Sequence, residues 1–132
     1  MIVREKGGIY LDSDYHILKD IEPIISKYDQ IFTLEREVIH VANCFFGSIP
    51  YGPIINAILE SVEFNLNLNN DRELEFPRDY PADPGSKTMM HIGPIAFTEA
   101  IYDKLRKSND DCGEYVVMSF GVFSDHKFSW GS

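Results

Sequence analysis

The stretch Gly7-Gly8-Ile9-Tyr10-Leu11-Asp12-Ser13-Asp14 constrains the fold of this chain more than any other. Residues 2–6 read as the last turn of a helix, with Arg4 and Lys6 near its C-terminus and the two glycines ending it. The apolar run that follows is too short for a second helix, so it reads as a strand over residues 9–12. A strand alternates its side chains with a period of two, which puts Tyr10, Asp12 and Asp14 on one face with both acids at the carboxyl end. Ligands collect there in open α/β sheets. Carboxylate oxygens are hard ligands suited to Mg²⁺ or Mn²⁺, ions that commonly complete their shells with oxygens of a bound phosphate. A nucleotide diphosphate is the obvious phosphate donor. In an acidic chain the bare Asp-x-Asp also arises on solvated loops, so the tripeptide alone does not discriminate. The Gly-Gly-Ile-Tyr-Leu lead-in does.

With 132 residues the chain is long enough for one compact domain, and 44% hydrophobic with 13% aromatic residues is the composition of a folded core. The net charge of -9 opposes binding to nucleic acid or to an anionic membrane. No apolar run reaches the length of a spanning helix, and the N-terminus has no leader-like apolar stretch, so the chain reads as soluble and by default cytoplasmic. Cys44 and Cys112 are far apart in sequence and read as reduced and structural.

After Asp14, residues 17–25 carry the aliphatics Ile17, Leu18, Ile21, Ile24 and Ile25, expected to pack on the sheet as an apolar loop or short helix. Residues 30–34 and 38–41 are β-rich runs flanking Glu35-Arg36-Glu37, the pattern of two strands joined by a turn. Asn43 in the following segment reads, from its residues alone, as a buried turn amide. Past Pro50-Tyr51-Gly52-Pro53, the residues Ile54, Ile55, Ile58, Leu59 and Val62 recur at helical spacing and mark a core-facing helix to about Val62. Residues 65–84 lose that period and read as a long exposed loop. Gly93-Pro94 opens a second helix, with Phe97, Ile101 and Leu105 as its buried stripe and Lys104, Arg106 and Lys107 complementing its C-terminal dipole. Residues 109–113 read as a turn and 115–118 as a strand. His91 stands just before this helix, either as a polar residue at its entrance or against a ligand.

The octapeptide GGIYLDSD closely resembles the metal-binding motif of the glycosyltransferases with a DXD sugar-binding region, grouped with certain mannosyltransferases and the glucosylating bacterial toxins. HIGPIAFTEAI resembles that family's Gly-Pro helix entrance, although the family usually has Thr where His91 or Ile92 stands. HKFSW resembles its C-terminal His and Ser-Trp signature. The three stretches fall in the family's order along almost the whole chain. The resemblance implies an α/β, GT-A-like mixed sheet with flanking helices. It also implies a single partial domain over residues 1–132, the N-terminal nucleotide-binding half being missing. By the same resemblance Asp12, Asp14 and His126 hold a Mn²⁺ or Mg²⁺ ion. Tyr10, Asp12, Asp14, Asn43, Ser129 and Trp130 contact the donor, Ser129 and Trp130 closing over its diphosphate.

The implied activity is metal-dependent transfer of a hexose from a nucleotide sugar to a hydroxyl of a glycan, lipid or protein acceptor, with retention at the sugar. No nucleophile or base is assignable from the sequence. The alternative is a non-catalytic remnant that binds metal, diphosphate or sugar, completed by a partner chain or in a homodimer. A metal-dependent phosphohydrolase is disfavoured, because a two-metal cluster needs more Asp, Glu and His ligands than the motif supplies.

Overall fold

The computed structural model describes residues 1–35, 40–67, 92–107 and 111–119. In chain order the elements are α1 (Ile2–Lys6), β1 (Gly8–Leu11), α2 (Glu22–Ile25), β2 (Gln30–Leu34), β3 (Val41–Ser48), α3 (Pro53–Asn67), α4 (Pro94–Arg106) and β4 (Tyr115–Met118). The fold is mixed α/β. The four strands among the described residues form one sheet in the order β1-β3-β2-β4, antiparallel except that β2 and β4 run parallel. No helix among the described residues is long and apolar enough to cross a membrane.

The break after α1 has a steric cause. Gly7 and Gly8 adopt φ of 72° and 109°, values that side chains disfavour, and a Cβ on Gly7 would lie 2.9 Å from Pro50 Cδ. The chain thereby reverses into β1, which among the described residues pairs with β3 alone, Gly8 opposite Ser48 and Leu11 opposite Phe45. Of the two strands expected at residues 30–34 and 38–41, the first forms as β2; residues 38 and 39 lie outside the described residues, and β3, antiparallel to β2, begins at Val41. Their register runs from Gln30 opposite Ser48 to Phe32 opposite Phe46, then shifts before Leu34 meets Val41. β3 is longer than expected and runs through Asn43 to Ser48, because both β1 and β2 supply it with backbone partners. Residues 36–39 and most of the long segment before Gly93 lie outside the described residues.

The two amphipathic helices form as their spacing demands, α3 continuing five residues past Val62. Ile54, Ile55 and Ile58 of α3 and Phe97, Ala100 and Ile101 of α4 interlock with Phe32, Val41 and Phe46 of the sheet and Val3 of α1. Burial of each large side chain in this cluster contributes roughly 1.5–3 kcal/mol. Leu105, the last residue of the expected α4 stripe, is only partly buried against the same cluster. Pro94 occupies the first turn of α4, where its missing N–H is no loss.

Two internal polar groups hold this arrangement in register. Gln30 is fully buried at the start of β2: its Oε1 accepts the Ile54 and Ile55 N–H groups at 2.7 and 3.2 Å, and its Nε2 donates to the Cys112 carbonyl at 2.8 Å. One side chain thus caps α3 and ties down the approach to β4. Thr98 of α4 does the same for β3, accepting the Val41 N–H at 2.7 Å and donating to the Pro94 carbonyl.

The expectation for residues 17–25 is corrected at Ile17 and Leu18. Ile17 and Leu18 are 58% and 87% exposed, and only Ile21, Ile24 and Ile25 are half-buried. The short helix of that expectation does form, as α2 from Glu22, whose N–H donates to Asp20 Oδ1 at 2.9 Å.

Candidate functional site

The strand expected over residues 9–12 is β1, and it delivers the acidic pair as expected up to a point. Leu11 is its last residue. The Asp12 N–H still donates to the Cys44 carbonyl at 3.0 Å, and the Tyr15 N–H then donates to the Asp12 carbonyl at 3.0 Å. Asp12, Ser13, Asp14 and Tyr15 therefore form a tight turn at the carboxyl end of β1. Asp12 is half-buried and Asp14 is exposed. The strict alternation expected to carry Asp14 onto the face of Asp12 ends at Leu11, and the turn sets the direction of Asp14 instead.

The face of Tyr10 and Asp12 is fixed by packing. Tyr10 lies opposite Phe46 in the register and stacks on it with ring centroids 5.1 Å apart, and Phe46 meets Phe97 edge-on at 5.5 Å. A line of rings thus runs from the core to the mouth of the turn. At its outer end the Tyr10 hydroxyl donates to Asp12 Oδ1 at 2.8 Å. That hydrogen bond, and the Asp12 charge itself, raise the Tyr10 pKa above its ordinary value, so the phenol stays a donor at neutral pH. The bond orients one Asp12 oxygen and leaves the other available.

Behind the turn, the Tyr15 ring packs against Phe45, and its hydroxyl lies 3.2 Å from Cys44 Sγ. Burial first, and then that contact, push the Tyr15 phenol well above its ordinary pKa; burial likewise raises the Cys44 thiol. Both groups are neutral at physiological pH. Cys44 and Cys112 are not joined in a disulfide. Tyr15 and Cys44 were not singled out by the sequence pattern. The only signal for Tyr15 is an aromatic next to an acidic turn, and nothing marks Cys44 as its partner.

Asn43 lies inside β3, half-buried, next to the residue that accepts the Asp12 N–H. Its expected place in a turn is corrected: the backbone there is paired strand, and the strand brings Asn43 beside the acidic turn. His126, Ser129 and Trp130, and also His91, lie outside the described residues. Among the described residues no group of three His, Cys, Asp or Glu side chains comes together as a metal cluster.

The donor set fits a hard divalent cation in kind. Two carboxylates one residue apart on an accessible turn, one of them oriented by a phenol, can hold a hydrated Mg²⁺ or Mn²⁺ ion whose other positions fall to water and phosphate oxygens. Behind the turn, the Cys44 thiol and the Tyr15 phenol are both held protonated. No family model, curated protein or solved structure matches this chain.

Proposed function

We propose that this chain is a GT-A-like, metal-dependent glycosyltransferase domain that transfers a hexose from a nucleotide sugar to an acceptor hydroxyl, with retention at the sugar. One observation carries the reading: in GGIYLDSD the two acids stand on an accessible turn at the carboxyl end of β1, with Asp12 oriented by Tyr10. The four-stranded mixed sheet with flanking helices supports it at the level of fold class.

In this reading Asp12 and Asp14 hold a Mn²⁺ or Mg²⁺ ion, with His126 as third ligand by resemblance. Such an ion, when bound, neutralises charge on the departing nucleoside diphosphate. The chain's own residues do the positioning. Tyr10 keeps Asp12 in one rotamer, the Asp12 N–H anchors the turn to β3, and Tyr15 fills the space behind it with a neutral ring. Asn43 reaches a donor hydroxyl, and Ser129 and Trp130 close over the diphosphate. Preorganised ligands of this kind lower the cost of assembling the site around a substrate.

The test is a thermal-shift panel of UDP- and GDP-hexoses with and without Mn²⁺. A ligand specific for the native state raises Tm with the logarithm of its concentration over Kd. The reading requires a shift that appears only when metal and nucleotide sugar are both present. Equal curves under all conditions refute it.

A further inference from the structure

The side chain of Tyr10 is held at both ends. Its ring stacks on Phe46 with centroids 5.1 Å apart, and Phe46 meets the buried Phe97 of α4 at 5.5 Å. Its hydroxyl donates to Asp12 Oδ1 at 2.8 Å. Strand alternation places residues 10 and 12 on one face, so the phenol lies against the carboxylate without any bend in the chain. Tyr10 is nonetheless 42% exposed, so water competes for both partners of that bond and it adds little to folding. Its effect falls on Asp12. The Asp12 backbone is fixed as well, its N–H donating to the Cys44 carbonyl and its carbonyl accepting the Tyr15 N–H, each at 3.0 Å. Carboxylate and backbone are thus both positioned in advance of any ligand.

Divalent cations differ in what they ask of a carboxylate. Ca²⁺ takes roughly six to eight oxygens at about 2.3–2.6 Å, tolerates irregular geometry and often takes both oxygens of one carboxylate. Mg²⁺ demands a near-octahedral set at about 2.0–2.1 Å, and is held by one or two carboxylates together with water and phosphate oxygens. Mn²⁺ also suits carboxylate and water ligands. A carboxylate that already accepts a phenol proton on one oxygen offers only the other at full strength. Chelation through both would set the ion against the proton on Oδ1. Among the described residues no third His, Cys, Asp or Glu side chain joins Asp12 and Asp14 to supply the further ligands that a Ca²⁺ site gathers.

We propose that Tyr10 sets the metal preference of the acidic turn: by holding Oδ1 it makes Asp12 a one-oxygen ligand, which selects Mg²⁺ or Mn²⁺ over Ca²⁺. The inference rests on the metal site proposed for Asp12 and Asp14 and goes beyond it, because carboxylates as such suit Ca²⁺ as well as the smaller ions. Tyr10 acts through Asp12 and needs no contact with the ion, as a positioning residue. Groups that hydrogen-bond a metal ligand fix its orientation and tune its affinity in this way. The stack on Phe46 gives the hydroxyl a fixed origin, so Asp12 cannot turn both oxygens outward without breaking the bond.

The test is competition between Mn²⁺ and Ca²⁺ on the full chain without nucleotide, bound Mn²⁺ being read from the loss of the free-ion EPR signal. The proteins are the wild type, Tyr10→Phe and Asp14→Asn. In the wild type Mn²⁺ binds, and Ca²⁺ displaces it only in large excess. Tyr10→Phe keeps the ring on Phe46 and removes the hydroxyl alone. Its Mn²⁺ affinity is expected to fall about tenfold, the usual effect of removing the hydrogen-bond partner of a metal ligand. Its Ca²⁺ affinity does not fall, so the preference narrows by the same factor. Equal affinity for the two ions in the wild type overturns the proposal and leaves the metal site standing. So does an unchanged preference in Tyr10→Phe, including a parallel loss of both ions, which would make the hydroxyl merely structural. Absence of Mn²⁺ binding in the wild type, or binding that Asp14→Asn leaves undiminished, overturns the metal reading and the proposal together.

Discussion

Replacing Gln30 by leucine removes one buried side chain and three hydrogen bonds while keeping nearly the same volume. Two of the bonds cap α3, Oε1 accepting from Ile54 and Ile55, and the third donates to the Cys112 carbonyl at 2.8 Å. Loss of a helix N-cap costs about 1 kcal/mol. The Cys112 carbonyl and the capped N–H groups lose their partner where water has little access, since Gln30 is fully buried, and each such group costs about 1–3 kcal/mol. Leucine returns part of this as apolar burial, which leaves a net loss on the order of 3 kcal/mol. For a domain of this size that lowers Tm by about 10 °C. Urea unfolding followed by far-UV CD gives the total, and native-state hydrogen exchange locates it: the Ile54 and Ile55 amides lose protection first. A variant within about 0.5 kcal/mol of the wild type would refute the assignment of Gln30 as the joint between β2, α3 and the approach to β4.

Gly52→Ala places a methyl against Ser48 Oγ and 2.8 Å from Gln30 Oε1, so it disturbs the same joint. It should cost about 1–3 kcal/mol, with the urea midpoint as the check. Thr98→Val keeps the shape but strands the Val41 N–H, and a loss of about 1–3 kcal/mol in thermal unfolding is expected where an exposed change such as Glu99→Gln has little effect. At alkaline pH the sign follows from three raised values. Tyr10, Tyr15 and Cys44 hold their protons more tightly folded than unfolded, against ordinary values of 10.0 and 9.0. Their contribution to stability is complete below those ordinary values and is lost as pH rises through the folded ones. The urea midpoint should fall from about pH 8 to about pH 10.5, less steeply in Tyr15→Phe, and an equal slope in that variant would contradict the assignment.

The elements with strong local signals were legible in the sequence. Gly7-Gly8 ended α1 because both positions need positive φ, Gly93-Pro94 opened α4, and the spacing of Ile54, Ile55 and Ile58 marked the buried face of α3. Relations set by distant partners were not legible. The placement of β4 parallel to β2 and the full length of β3 depend on pairing across the sheet, which no local pattern encodes. Ile17 and Leu18 misled for the opposite reason: aliphatic content suggested packing, but both side chains are exposed. At the site, Tyr10 and Asp12 were legible as strand neighbours on one face. The Tyr15–Cys44 contact and the Gln30 cap join residues that carry no motif.

The most direct test of the account is isothermal titration of Mn²⁺, in the presence of UDP or GDP, into the wild type, Asp14→Asn and the exposed control Glu63→Gln. If Asp12 and Asp14 hold the ion against a diphosphate, Asp14→Asn weakens Mn²⁺ binding by tenfold or more, about 1.4 kcal/mol, because the amide keeps the shape of the ligand and removes its charge. Glu63→Gln then matches the wild type, and omitting the nucleotide weakens binding in every protein that retains the pair. Equal Mn²⁺ affinity in Asp14→Asn and the wild type would contradict the metal site, and the glycosyltransferase reading with it.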